Sequence, residues 1–392
     1  MALSEETRQP APFAGRSRWD AIVVGCGVMG ASVSYNLAKR GLKVLNIERF
    51  GVNNENGSSH GKTRIIRLAY YEDSRYVPLL RRAYDIWREV ELKTRKKLLL
   101  MTGGLMVGPQ DGPLVKGVLR SAGVHGLPFE LLTAKDAGGR FEAFSLPEEF
   151  HAVYEKSAGI LFAEDCVRAY VGLGSEAGCE FRFSEEVMSW RRGAESIEVE
   201  TPLGRHSASK LVLCAGAWNR NLLRGSIPLQ CERQVPLWFH SGGMDRFTAS
   251  RMPIFIMEDA PGSYYYGVPE VGHGVKVART HGGEISDPDR IRREVTDEDI
   301  APVSDFVSRR LRGLSNQPIA STTCLYTNTP DFNFVIGEHP DDPRVTILSA
   351  CSGHGFKFAS VMGEIAARTV TGDKQDCDVS FLSPERFGTK AT

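Results

Sequence analysis

The stretch Asp20-Ala-Ile-Val-Val24 followed by Gly25-Cys-Gly27-Val28-Met29-Gly30 constrains this chain more than any other. It reads as a buried strand, a tight glycine turn and the start of a helix. Gly25 lets the chain turn sharply, Gly27 lets a pyrophosphate approach the backbone, and Gly30 lets the helix pack close to the strand. The N–H groups at the helix start favour an anion there. The helix from about Val28 stops at Lys39-Arg40-Gly41, cations followed by a glycine. A second buried strand, Lys43 to Ile47, runs into Glu48 and Arg49. Glu48 lies 18 residues past Gly30, where an acid bonds a ribose hydroxyl. A plain βαβ unit would explain the apolar runs, but neither Glu48 nor the three glycines.

At 392 residues the chain exceeds the size at which one core stops growing, so two domains are expected. Its 42% apolar and 24% charged residues are ordinary for a soluble globular protein. A net charge of zero gives no reason to expect nucleic acid or an anionic membrane as partner. No apolar run approaches the roughly 18 residues of a membrane span. Met1 to Ser17 is polar and is expected to be neither a signal peptide nor a packed element. The C-terminus is not a peroxisomal address. The eight cysteines show no metal spacing and read as reduced thiols of a cytoplasmic protein.

Patterning predicts a loop from Phe50 to Ser59, a largely buried helix over 75–93 and a Gly-interrupted hairpin over 98–107. Residues 110–150 carry no motif. A strand at Gly159–Phe162 leads into a helix to about Gly174, and Glu180–Ser184 and Ile197–Glu200 read as strands. Lys210 to Cys214 is a buried strand ending in the small-residue turn Ala215-Gly216-Ala217-Trp218, where backbone can touch a dinucleotide. From Gln234 the pattern reads as an antiparallel sheet, a platform for a substrate. Thr296-Asp-Glu-Asp299 caps a helix to about Arg312. Cys324 to Gly337 reads as a strand pair, and Val345 to Ala350 as a buried strand before a final helix. The fold class is α/β: a Rossmann-type domain with an inserted mixed or antiparallel sheet. The dinucleotide domain is drawn from 17–95, 150–228 and 321–385, and the substrate domain from 96–149 and 229–320.

Several residues carry chemistry on local grounds. Lys357 falls in the first turn of the last helix, where a cation is disfavoured unless an anion binds beside it; a side chain reaching solvent is the alternative. Arg64 and Arg67 share a face if their segment is helical, suited to a carboxylate or to solvent. His60 touches a cofactor or caps a turn. Lys276, between Val275 and Val277, points away from their face, to a cavity or to water. Tyr264, Tyr265 and Tyr266 alternate, so one or two of them face the same way as Lys276. Cys324 has no local signal.

Three motifs carry a resemblance: Gly57-Ser-Ser59-His60-Gly-Lys-Thr63-Arg64-Ile-Ile-Arg67, Cys324-Leu-Tyr326-Thr-Asn-Thr-Pro-Asp331 and Ser352-Gly353-His354-Gly355-Phe356-Lys357-Phe358. With them the chain, from about Trp19 to Phe381, resembles the monomeric sarcosine oxidase family of flavoenzymes. The resemblance implies FAD, joined covalently through Cys324, with Glu48 on the ribose and with Ser59, His60, Thr63, Arg64 and the 353–357 segment along the cofactor. It implies that Arg67 and Lys357 hold a substrate carboxylate, that Lys276 serves the reaction with oxygen, and that Tyr266, Tyr326 and Met257 line the substrate cavity. It also implies a monomer and no metal. One position departs: four residues after the lysine, sarcosine oxidases carry an active-site histidine, and here Thr280 stands there with His281 next.

The resulting expectation is oxidation of a secondary amino acid, N-methylated or cyclic, to an imine, with oxygen reduced to hydrogen peroxide. The alternatives are a flavin dehydrogenase passing electrons to a quinone or carrier, a non-catalytic flavin-binding subunit of a larger complex, and a nicotinamide-binding protein, which Cys324 and the C-terminal motif disfavour.

Overall fold

The computed structural model describes residues 19–388. The readings of Met1–Ser17 and of the final residues lie outside them.

Two large sheets organise the described residues. The first is the sheet that the glycine motif demands. Its core is five parallel strands in the order Glu180–Arg182, Val44–Ile47, Trp19–Val24, Gly204–Leu213 and Asp342–Ser349. Trp19–Val24 is central because Ala21 to Val24 are apolar on both faces and all are buried. Helix Val28–Ala38 packs on one face against helices Ala163–Glu176 and Ala359–Thr371, which explains why nearly every one of its residues is buried. Ile197–Thr201 and Val335–His339 add antiparallel strands.

The second sheet runs Pro318–Ser321, Leu237–Phe239, Val275–Thr280, Ser263–Val268, Ile254–Ala260, Gly104–Pro109, Phe150–Glu155, Glu130–Thr133. It is antiparallel except where Ile254–Ala260 runs parallel to Gly104–Pro109. One face is closed by helix Asp297–Arg310; Tyr265 stacks on Phe306 with ring centroids 4.1 Å apart. That helix starts as the sequence predicts, with Thr296 and Asp299 forming a capping box. The other face looks toward the first sheet.

Three expectations change. The 98–107 hairpin is two strands of different sheets: Leu99–Met101 pairs with Gly159–Phe162, whereas Gly104–Pro109 joins the second sheet. Gly103, at φ +72°, lets the chain leave one sheet for the other. Cys324–Asn328 and Val335–His339 do not pair with each other; the first pairs with Gln230–Gln234 and the second with Asp342–Ser349. The boundary drawn at 150 shifts, because Phe150–Glu155 is a strand of the second sheet. The motif-free 110–150 segment holds helices Pro113–His125 and Ala134–Arg140. Among the described residues no helix is long and apolar enough to cross a membrane, and no cluster of His, Cys, Asp or Glu could hold a metal ion.

Candidate active site

A cavity of about 670 Å³ opens between the two sheets. Its first end is the glycine turn. Gly25 has φ +95°, and a Cβ there would lie 2.6 Å from the carbonyl oxygen of Cys214. A Cβ on Gly30 would lie 1.9 Å from the oxygen of Gly25, so helix and strand can meet only at glycine. A Cβ on Gly27 would meet only Ser59 Oγ, at 3.2 Å; otherwise this backbone is bare toward the cavity. Val28, the first helical residue, donates its N–H to Ser59 Oγ (3.1 Å), and Met29 follows on the wall. Glu48 ends its strand buried, accepting from the N–H groups of Cys26 (2.6 Å) and Phe50 (2.8 Å). Burial pushes its pKa up against those two bonds. Arg49 pairs with Asp289 (2.5 Å), which also accepts from Trp218 Nε1 (2.8 Å), closing this end beside Ala215 and Gly216. A bare glycine turn at a helix N-terminus with an acid at the next strand end fits the adenosine diphosphate half of FAD.

In the middle of the cavity Arg64 is the organising side chain. It is half-buried and donates to the carbonyls of Thr63 (2.9 Å) and Ser58 (2.7 Å), with Cys324 Sγ 3.6 Å away. Its guanidinium lies over the Phe356 ring. The Cys324 thiol is thus buried in the cavity wall with the Arg64 guanidinium beside it.

At the far end two cations share one ring. Arg67 Cζ lies 4.3 Å, and Lys357 Nζ 5.2 Å, from the centre of Tyr70. Lys357 donates to the His354 carbonyl (2.6 Å) from a 3₁₀ turn, Phe356–Phe358, that precedes the last helix. Burial first, and Arg67 second, depress the Lys357 pKa to about 7. Arg67 is buried and makes a bidentate pair with Glu72, 2.7 Å to each oxygen, while its Nε has no partner. Burial works against the Glu72 charge, but Arg67, with His354 and Lys357 behind it, holds Glu72 below the usual carboxylate range. His354 donates from Nε2 to the Phe332 carbonyl (3.0 Å), so Nδ1 accepts from Tyr70. Burial keeps this imidazole neutral, its pKa near 3. With Lys357 charged, two buried cations face one carboxylate, and an orphaned Arg67 N–H remains. The site is short of one anion.

The remaining wall comes from the second sheet. Tyr264 and Tyr266 face the cavity and Tyr265 the opposite core, as strand alternation requires. Tyr326 and Thr280 also line it, alongside His281. His281 adopts φ +60°, a left-handed conformation that costs an imidazole-bearing residue about 1–2 kcal/mol. The turn brings a ring one position past the strand's end back to the wall. Glu232 holds it, accepting from His281 Nδ1 (3.2 Å), Gly283 N (2.8 Å), Gln234 Nε2 (2.7 Å) and Asn328. Burial opposes the Glu232 charge, and the bonds from His281 and Gly283 outweigh it and lower its pKa.

Five anticipated site residues do not line the cavity. Met257 points into the opposite core, paired with Tyr265; Ile256, paired with Tyr266, takes its place on the wall. Gly30 is spent on helix packing. Lys276, His60 and Thr63 form a layer beneath the wall: Lys276 Nζ donates to the carbonyls of Gly61 (3.0 Å) and Thr63 (2.5 Å). Lys276 is 1% exposed, so it does not reach solvent, and burial, then Arg64, push its pKa well down. His60 bonds the Gly57 carbonyl, and burial lowers its pKa to about 4. Sequence reasoning missed Glu72, Tyr71 and Phe332, whose only signal is proximity to the motifs.

Fold and cavity together define a flavin-dependent oxidoreductase, and the comparisons agree. Residues 20–369 match the family described as FAD dependent oxidoreductase. The chain is 40% identical to a monomeric sarcosine oxidase of Streptomyces avermitilis over 94% of its own length and 98% of the relative's. It is 33% identical to an N-methyl-L-tryptophan oxidase of Yersinia pestis, over 94% and 99%. Solved structures of similar fold include NikD, an amino acid oxidase essential for nikkomycin biosynthesis (TM-score 0.83, 23% identity, 94% and 98% covered). L-proline dehydrogenase from P. horikoshii is another (TM-score 0.82, 23% identity, 94% and 98% covered). The chain belongs to the FAD dependent oxidoreductase family, within its monomeric sarcosine oxidase branch.

Proposed function

We propose that the protein oxidises a secondary amino acid, N-methylated or cyclic, at the C–H beside nitrogen, with oxygen as the final acceptor and hydrogen peroxide as product. The observation that carries this reading is the pair of buried cations, Arg67 and Lys357, sharing the Tyr70 ring at the end of a dinucleotide-fitting cavity. A substrate carboxylate supplies the missing anion, taken by the unpartnered Nε–H of Arg67 while Glu72 stays on the same guanidinium. Lys357 binds it as a point charge. This clamp fixes the amino acid at two points, and positioning of this kind is the main catalytic contribution of the chain. A cationic site also disfavours a protonated amine, so the neutral amine is the reacting form. FAD held here would supply the two-electron chemistry, taking the hydrogen of the substrate carbon with its electron pair and reducing oxygen, the proton released from nitrogen completing hydrogen peroxide. The amino acid leaves as an imine, which water hydrolyses.

Cys324 is the residue for covalent attachment, supported by its burial beside Arg64. Lys276, an enclosed amine under that wall, serves oxygen reduction. The names of the sarcosine oxidase relatives support a monomer, and eight free thiols suit a reducing cytoplasm.

The test is flavin absorbance without oxygen. Sarcosine, N-methyl amino acids, pipecolate and proline are added singly, and then air is admitted. Bleaching by a secondary amino acid followed by fast recovery and peroxide is the expected result. Slow recovery would assign the electrons to another acceptor. Lys276→Met is expected to bleach as the parent does and recover at least about tenfold more slowly; equal recovery would remove its role.

A further inference from the structure

We infer that the cavity mouth selects an amino acid with a large apolar side chain of aromatic size, so that this protein favours such substrates over sarcosine; this rests on the amine-oxidation reading above. Two groups of rings make the case. Tyr71, on the loop after the Thr63–Ile66 strand, stacks on Tyr264 of the second sheet with centroids 6.0 Å apart and planes at 23°. Both line the cavity. Phe332, from the loop after Cys324–Asn328, sets its ring edge-on to His281 (4.9 Å), which is edge-on to Tyr326 (5.4 Å).

Phe332 is out of place for an ordinary loop residue. It is 48% exposed, and its backbone is left-handed at φ +56°, a conformation that a bulky side chain rarely takes. It is fixed there by its own N–H on the Thr329 carbonyl (3.1 Å) and by His354 Nε2 on its carbonyl (3.0 Å). The chain therefore holds a large apolar ring half in water at the rim of its site. A ligand side chain covering that ring removes apolar area of both partners from water.

The carboxylate clamp sets where that side chain starts. The Arg67 guanidinium lies 5.0 Å from the Tyr71 ring centre, so the α-carbon of a carboxylate held by Arg67 begins beside the Tyr71–Tyr264 stack. A methylene, as in sarcosine, leaves the stack and Phe332 uncovered. A cationic side chain finds no free charge at the rim, although three carboxylates stand there. Glu72 is held by Arg67, Asp73 by Arg75 (2.5 Å) and Asp331 by Arg386 (2.9 Å). The surface left for a side chain is aromatic and electrically spent.

The experiment measures anaerobic flavin reduction of the holoenzyme by sarcosine and by the α-N-methyl derivatives of L-alanine, L-leucine, L-phenylalanine and L-lysine. Binding of the unreactive carboxylates acetate and indole-3-acetate is followed by flavin difference absorbance. The expected efficiency for N-methyl-L-phenylalanine exceeds that for sarcosine by about tenfold or more, the scale on which apolar pockets discriminate. Indole-3-acetate is expected to bind more tightly than acetate. The phenylalanine-to-sarcosine ratio is expected to fall about fivefold or more in Phe332→Ala and in Tyr264→Ala, with flavin content as the folding control. Sarcosine as the best substrate, a preference for the lysine derivative, or a ratio untouched by either substitution overturns the inference while amine oxidation stands. Bleaching by no member of the series, nor by pipecolate or proline, defeats amine oxidation itself. The unreactive carboxylates test the parent enzyme without any substitution.

Discussion

Lys357 is the residue whose environment makes the sharpest demand. Its pKa of about 7 means that half the ammonium is lost near neutrality in the site without substrate. A bound carboxylate favours the charged form, so binding above pH 7 takes up a proton. Affinity for an inert carboxylate such as acetate is expected to fall as pH rises from 6 to 8.5, by several-fold, and Lys357→Met to flatten that profile while weakening binding at pH 6. A flat profile in the parent would place the titrating amine elsewhere. The same shift has a stability sign. Between about pH 7 and the ordinary lysine pKa, the unfolded chain holds a proton that folded Lys357 lacks, so this group makes the protein more stable as pH rises through that window. Burial sets this value first and Arg67 second, and both come from segments remote in the chain. No local sequence rule supplies it.

Among elements, the junction of strand Trp19–Val24 with helix Val28–Ala38 has the least tolerance. Gly30→Ala would place a methyl 1.9 Å from the Gly25 carbonyl, which is backbone and cannot step aside cheaply. The helix must back away from the strand, and its N–H groups retreat from the pyrophosphate position. The expected outcome is a loss of about 1–3 kcal/mol in denaturant unfolding, as for overpacking, together with flavin depletion of the purified protein. Full flavin content with unchanged stability would count against the close approach. The same junction shows what patterning reads well. Apolar residues on both faces of a strand, a glycine turn and an apolar helix specify a βαβ unit locally. Patterning fails where neighbouring strands belong to different sheets: 98–107 looks like a hairpin because both halves are apolar, yet Gly103 sends them apart.

At the scale of the molecule the cavity wall draws on both sheets, so cofactor and fold are coupled. With FAD joined through Cys324, the thermal midpoint is expected to be independent of added FAD, and acid-precipitated protein to stay yellow. In Cys324→Ala the flavin becomes an ordinary ligand, and the midpoint is expected to climb with FAD, reaching about 2.7 kcal/mol of stabilisation at a hundredfold excess over Kd. A colourless pellet from the parent, with a midpoint that follows added FAD, would remove the covalent bond. The flavin-binding design also explains the division of labour: the parallel sheet presents the glycine turn and Glu48, and the second sheet contributes Tyr264, Tyr266, Thr280 and His281.

The sequence by itself determined the dinucleotide unit, the mixed second sheet, the side of the strand that Lys276 takes and the order of the three family motifs. Each of these is local, a matter of apolar period, glycine placement or a contiguous run of residues. Tertiary structure decided the rest. Ile256 rather than Met257 reaches the cavity because sheet pairing sets which face looks inward. His281 reaches the wall beside Thr280 because a left-handed residue at the strand's end, held by Glu232, reverses the parity that alternation dictates. Arg64 meets Cys324 across 260 positions of chain. Glu72 takes Arg67 only because the loop between them folds back on itself. Short-range patterns encode elements; charges and faces brought together from distant segments make the site, and only the folded chain brings them together.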